Sequence, residues 1–322
     1  MDRFYTQLDD ISQEMYHYRD YFKDKVILCN CDDPIESKFF HYFSYQFERL
    51  GLKKLISTTY KSINPDSYSL HDSEKSLKLI YEGDKNKNRV PDKEEIEIIN
   101  LAGDGDFRNS ESIEILKECD IVVTNPPFTY FRQLISILIE NDKKFIVIGQ
   151  SNALTYQEIF PLFRDNKIWL GKSIHSGDRE FQIPDDYPQI AAGSRTDETN
   201  GLRFIRVKGI RWFTNIDFKE RHEDLVLYKK YSPEEYPKYD NYDAINVNRT
   251  NDIPCDYSGI MGVPITFSDK YNPDQFEILG LGASAGYNRD IIGLDLIGGG
   301  RDARPIVDGK NTFARLFIRR RL

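Results

Sequence analysis

Asp120-Ile121-Val122-Val123-Thr124-Asn125-Pro126-Pro127-Phe128 is the stretch that decides how this chain folds. Ile121 to Thr124 is a short β-branched run, the pattern of a strand buried on both faces of a parallel sheet. Phe131, Leu134, Ile135 and Leu138 follow at helical spacing. Asn125-Pro126-Pro127-Phe128 therefore lies between the carboxyl end of a strand and the start of a helix. In an open α/β sheet, ligands bind there.

Such a loop suits one kind of substrate. An exocyclic amine has its lone pair delocalised into its ring and is a poor nucleophile. The side-chain oxygen of Asn125 and the carbonyl of Pro126 can accept both of its hydrogens and turn the nitrogen toward an electrophile. The prolines fix φ and remove a competing N–H donor, which keeps the carbonyls free. Phe128 can stack on the face of a planar base.

The chain has 322 residues, enough for one large domain or two modest ones. Charged residues make up 30% and aromatic residues 13%, a globular composition. No apolar run reaches membrane-spanning length, and the start lacks a signal peptide's apolar core, which points to a cytoplasmic protein. Cys29, Cys31, Cys119 and Cys255 form no disulfide framework, and Cys29-Asn30-Cys31 lacks the second pair of a zinc site. The five histidines show no metal-ligand spacing, so no metal is expected. A net charge of −8 argues against a uniformly basic nucleic-acid binder and leaves phosphate contact to local patches. The candidates are Lys85 to Arg89, then Arg203, Arg206, Lys208 and Arg211, then Arg315, Arg319, Arg320 and Arg321.

The rest of the chain supplies strands and helices in alternation. Phe4-Tyr5-Thr6-Gln7 opens a helix-like stretch through Tyr21. Val26 to Asn30 reads as a buried strand running into Cys31-Asp32-Asp33-Pro34. Asp33 is a good helix N-cap, Pro34 suits the first turn, and Glu36 completes a capping box. Phe39, Phe43, Phe47 and Leu50 line one face of the helix, which ends at Gly51. The turn lacks the Gly-x-Gly of dinucleotide sites, and its carboxylates suit a cationic, hydroxyl-rich ligand such as S-adenosylmethionine. Lys53 to Thr58 reads as the next strand. Residues 61–92 look like a polar insertion with a possible strand at Ser76 to Tyr81.

Glu95 to Asn100 alternates as a strand and runs into Gly103-Asp104-Gly105-Asp106-Phe107-Arg108, where glycines allow close approach of a ligand. Asp106 can accept from an adenine amine, with Phe107 packed beside the ring. After a short helix, Glu111 to Lys117, come the strands Asp120 to Thr124 and Lys144 to Gly149. Ile168 to Gly171 and Gly209 to Asn215 are the last strands, antiparallel around a polar insertion at 172–205. Strands alternating with helices indicate a doubly wound α/β sheet. From about Glu220 the composition turns rich in Tyr, Asn, Asp and Pro, and 280–310 reads as a Gly- and Asp-rich loop or lid. Its Asn and Arg side chains are of the types that read adenine and guanine edges.

With these segments in place the chain resembles the S-adenosylmethionine-dependent adenine-N6 DNA methyltransferases, most closely the EcoRI-type modification methylases. The motifs that resemble the family are Phe4 to Gln7, Cys29 to Pro34, Gly103 to Arg108 and Asn125 to Phe128, together with Lys238 to Val247 and Gly262 to Phe267. Their order resembles the gamma arrangement of amino-methyltransferases. The resemblance implies a Rossmann-like methyltransferase domain over 1–220 and a target-recognition, DNA-contacting region over 221–322. It implies cofactor contacts from Tyr5, Thr6, Asn30, Cys31, Asp32, Asp33, Asp106, Phe107 and Asn125, with Asn30, Asp32 and Asp33 as alternatives for the methionine end. Asn125, Pro126, Pro127 and Phe128 would be catalytic, acting on an adenine flipped out of the duplex. A monomer acting on double-stranded DNA is implied, as the modification half of a type II restriction-modification system whose endonuclease it does not touch. An Asn-Pro-Pro-aromatic loop also resembles methyltransferases of RNA adenine or of protein glutamine. The long stretch after the core favours a reader of duplex DNA.

Overall fold

The computed structural model describes residues 4–31, 38–59, 76–175, 178–183, 187, 193–283, 293–297 and 303–321. The chain divides into two compact units, Met1–Ser151 with Gly171–Ile216, and Asn152–Leu170 with Asp217–Leu322.

The first unit is built on β1 (Val26–Cys29), β2 (Lys54–Thr58), β3 (Leu77–Tyr81), β4 (Ile96–Asn100), β5 (Ile121–Thr124) and β6 (Lys144–Gln150). A smaller sheet follows, from β7 (Asp178–Ile183), β8 (Ser194–Thr196) and β9 (Arg203–Lys208), and β10 (Ile210–Thr214) returns to the main one. There the order is β4-β3-β2-β1-β5-β6-β10. β1 is parallel to both β2 and β5, with Ile27 opposite Leu55 and Ile121, and β5 is parallel to β6. β10 runs antiparallel to β6. The four residues of β1 and of β5 are all buried, as β-branched runs covered on both faces require. The mostly parallel α/β sheet agrees with the expected class.

The helices are α1 (Leu8–Met15), α2 (Lys38–Tyr45), α3 (Phe47–Leu50), α4 (Ser110–Glu118) and α5 (Phe131–Glu140). Phe131, Leu134, Ile135 and Leu138 are the buried residues of α5, which is the spacing anticipated. A side chain at Gly149 on β6 would lie 2.5 Å from the Phe131 ring, so the glycine admits that ring at the start of α5, just past the Asn125 loop. Phe131 also packs edge-on to Phe213 of β10, at 4.8 Å.

Three expectations need correction. The helix expected to run through Leu50 is broken at Gln46 into α2 and α3. The strand at 77–81 is no ornament of an insertion: β3 lies inside the sheet, antiparallel to both β2 and β4. The polar insertion at 172–205 contains β7, β8 and β9, paired antiparallel in the order β7-β9-β8. Phe181 and Ile183 are buried at alternate positions of β7 and Ile205 in β9, a period-two signal masked by the polar residues around them.

The second unit holds Trp169–Leu170, the short helix α6 (Phe160–Arg164) and a four-stranded sheet. That sheet consists of β11 (Ile245–Asn246), β12 (Met261–Pro264), β13 (Phe276–Gly282) and β14 (Arg315–Arg320), ordered β11-β12-β14-β13. Tyr239, Tyr242, Ala244, Ala303 and Phe317 form one core cluster in it. Both tyrosine hydroxyls are satisfied, Tyr239 donating to Asn246 Oδ1 at 2.8 Å and Tyr242 to the Ala303 carbonyl at 2.6 Å. Of the expected loop at 280–310, Gly280 to Gly282 belong to β13, while 284–292 and 298–302 lie outside the described residues. Among the described residues no helix is long and apolar enough to cross a membrane.

Candidate active site

From β1 the chain crosses to β2 on one side, and β5 then takes the other side of β1 and leads on to β6. The order reverses between β1 and β5, and their carboxyl ends open a crevice there. Asn30 follows β1 and Asn125 follows β5; both are buried, 7% and 6% exposed. Thr124 Oγ1 donates to the Asn30 carbonyl and ties the two strand ends together. Cys31 adopts φ 69°, an uncommon conformation for a residue with a side chain, and its Sγ lies 3.5 Å from Asn30 Oδ1. Asp32 and Asp33 lie outside the described residues.

The Asn125 Nδ2 donates to the carbonyl of Phe4 at 2.6 Å. Segment 4–7 is thereby drawn against the loop. On its other side it is bridged to β7, with Tyr5 N donating to the Gln182 carbonyl at 2.9 Å and Gln182 N returning a bond at 3.1 Å. The Phe4 ring lies 5.9 Å from Phe128, 5.7 Å from Phe181 and 6.0 Å from Tyr187. Pro126 is buried, whereas Pro127 and Phe128 are half-buried at the start of a short turn leading into α5. Thr6 Oγ1 is buried without a hydrogen-bond partner among the described residues.

The Asp106 loop approaches through Tyr130. Phe107 lies edge-on to Tyr130, with centroids 6.4 Å apart, and the Arg108 guanidinium sits 4.5 Å from the centre of the same ring. Asp106 is already engaged: Oδ1 accepts from the Arg108 backbone N–H at 2.9 Å and from Nε at 2.8 Å, and Oδ2 accepts from the other end of the guanidinium. The hydrogen bond from Arg108 holds the carboxyl below the usual carboxylate range. Oδ1 has both lone pairs in use, so any further amine would have to use Oδ2.

Phe4, Arg108, Tyr130 and Gln182 are the site residues that sequence reasoning missed. Phe4 stood within a quoted motif without a role, and Tyr130 sits two positions past Phe128. Gln182 had no signal, because its strand was read as an insertion. Two members of the proposed basic patches are removed from any phosphate role. Arg211 is buried and donates to the carbonyls of Ile210 and His175, and Arg315 is buried against Asn246. No three His, Cys, Asp or Glu side chains gather to hold a metal among the described residues.

The donor set fits a nucleoside-bearing cofactor. It offers buried amide and hydroxyl groups at Asn30 and Thr6, the latter with an orphaned oxygen, and aromatic edges at Phe107 and Tyr130. The sequence model of the family described as Adenine-specific methyltransferase EcoRI matches residues 1–321. The chain belongs to this family of adenine-specific methyltransferases. It is 49% identical over 280 residues to the Type II methyltransferase M.EcoRI of Escherichia coli, covering 86% of this chain and 85% of that protein. It is 38% identical to the Type II methyltransferase M.MpnI of Mycoplasma pneumoniae and 37% to M.MgeORF184P of Mycoplasma genitalium, each over 86% of this chain and 82% of the relative. No solved structure matches. In this adenine-specific methyltransferase the Asn125 loop lies at the reversal of strand order.

Proposed function

We propose that this methyltransferase moves a methyl group from S-adenosylmethionine to the N6 amine of an adenine turned out of duplex DNA, as the modification enzyme of a type II restriction-modification system. One observation carries the reading. Asn125 spends its amide N–H on the Phe4 carbonyl, which turns its oxygen to the other side as an acceptor for an amine hydrogen. Pro126 supplies the neighbouring carbonyl, and the half-buried Phe128 ring is a surface on which the turned-out base stacks. The bound cofactor would supply an electrophilic sulfonium methyl. Asn125 and Pro126 hold the amine in line with it, so positioning and hydrogen bonding supply the catalysis and no covalent enzyme intermediate is needed.

Tyr5, Thr6, Asn30 and Cys31, with Asp32 and Asp33 after them, would hold the cofactor, and Asp106 Oδ2 and Phe107 would meet its adenine. Residues 221–322 would read the DNA target. The names of M.EcoRI, M.MpnI and M.MgeORF184P as Type II methyltransferases support the restriction-modification setting. We infer a monomer that meets its cognate endonuclease only through the shared DNA sequence.

Labelled S-adenosylmethionine and unmethylated genomic DNA test the reaction. N6-methyladenine in one fixed sequence is expected. Label in RNA or protein, with none in duplex DNA, would overturn the reading.

A further inference from the structure

The connection between β3 and β4 is a second candidate site, unrelated to methyl transfer. It reads Asp84-Lys85-Asn86-Lys87-Asn88-Arg89-Val90-Pro91-Asp92-Lys93-Glu94-Glu95. Counted from Asp84, side-chain oxygens stand at positions 1, 3, 5, 9 and 12 and a backbone carbonyl at 7, the spacing with which a loop wraps one calcium ion. Such loops carry glycine at position 6, because the backbone must turn there with positive φ. Arg89 occupies that position and adopts φ 66° all the same. Asp84 accepts from the backbone N–H groups of Asn88 at 3.1 Å and Arg89 at 2.7 Å, and Asn88 Oδ1 accepts from Val90 N at 2.8 Å. The loop is thus wound around its acids.

The pointer to a ligand is independent of that winding. Glu95 is only 7% exposed. Its Oε1 accepts from the backbone of Lys85 at 2.7 Å and of Asn86 at 3.0 Å, while Oε2 is buried with no hydrogen-bond partner among the described residues. Asp92 Oδ2 accepts from Asn86 Nδ2 at 2.6 Å and Asn88 Nδ2 at 3.0 Å. Lys85 Nζ, next to Asp84 in sequence, pairs with Glu82. A buried carboxylate oxygen without a partner is costly without a cation.

We propose that this loop binds a calcium ion through the side-chain oxygens of Asp84, Asn86, Asn88, Asp92 and Glu95 and the carbonyl of Val90. Among the described residues the carboxylates alone do not gather into a metal cluster; on binding, the two asparagines would turn their amide oxygens toward the ion. Calcium suits it better than magnesium, because a flexible loop with a carbonyl and a carboxylate able to bind through both oxygens matches calcium's larger, less regular coordination. With three carboxylates and exposed lysines around them, affinity should fall near the weak end of such loops, a Kd of about 10⁻⁴ to 10⁻³ M. The ion would clamp β3 to β4.

The test uses the full chain, stripped with a chelator and titrated with calcium chloride by calorimetry. Thermal unfolding and terbium luminescence sensitised by Tyr81 are followed in parallel. One ion per chain is expected, with a melting temperature that climbs as calcium rises. Glu95→Gln, Asp84→Asn and the exposed-site change Asn88→Ala should each weaken binding at least about tenfold. Three variants keep the test decisive if one fails to fold. The inference is overturned by no response up to about 10 mM calcium, ten times the weak end of the range. Equal affinity for magnesium, or an unchanged response in all folded variants, would overturn it too.

Discussion

At the scale of single residues, Asn125 shows how one amide can be given a direction. Its N–H donates to the Phe4 carbonyl, and the proposed mechanism uses its oxygen as the acceptor for the amine. Asn125→Asp would set a carboxylate oxygen against that carbonyl. Turnover should fall by about a hundredfold or more in single-turnover methyl transfer, while cofactor affinity measured by calorimetry changes far less. Retained turnover would remove Asn125 from the mechanism. Glu14 is the counterpart in the framework: fully buried, it accepts from Tyr18 Oη, the backbone of Lys172 and Ser173, and Ser173 Oγ. Glu14→Gln places an N–H₂ group among donors and should cost about 1–3 kcal/mol in urea unfolding. A change within about 0.5 kcal/mol, the size of an ordinary surface substitution, would show that the cluster is not needed. The Asn125 motif was legible because it is local; the Glu14 cluster was not, because the backbone N–H groups that Glu14 accepts from lie some 158 residues away.

At the scale of elements, the loop after β4 is seated on the end of β2 by a glycine. Gly105 has φ 75°, and a Cβ there would come 1.9 Å from the Thr59 carbonyl. Gly105→Ala should destabilise the protein by about 2 kcal/mol or more, the left-handed strain plus the clash. It should also weaken cofactor binding, because Asp106 and Phe107 are the next residues. Thermal unfolding and cofactor titration check both, and normal affinity in the folded variant would separate the loop from the cofactor. Strands with uniform β-branched runs, β1 and β5, were readable from sequence. β3 was legible only as a possible strand and β7 not at all, since polar residues interrupt them and the sequence does not say which strands they pair with.

At the scale of the whole molecule, pH should act on the second unit through His222. Its ring lies between Asp274, at 2.6 Å, and Asp217, at 2.8 Å, and the hydrogen bonds to them raise its pKa above 6.5. A raised histidine pKa stabilises fully below 6.5, and the contribution disappears as pH rises through the folded value. Asp217 titrates the other way: bonds from His222 and Arg221 outweigh burial and lower its pKa, so its contribution is lost as pH falls below 3.8 toward the folded value. His222→Gln should narrow the difference in urea stability between pH 6 and pH 8, by a small amount because the pair is partly exposed. An identical difference in both proteins would discount the pair. The sequence by itself determined the parallel core, the order of its elements and the place of the Asn125 loop between a strand and a helix, because hydrophobic period and proline geometry act over a few residues. Only the tertiary structure decided that β3 enters the sheet, that Arg108 occupies Asp106, and that Arg211 and Arg315 are buried rather than offered to phosphate. Those outcomes depend on which distant segments fold against each charge, and charge alone does not specify its partner.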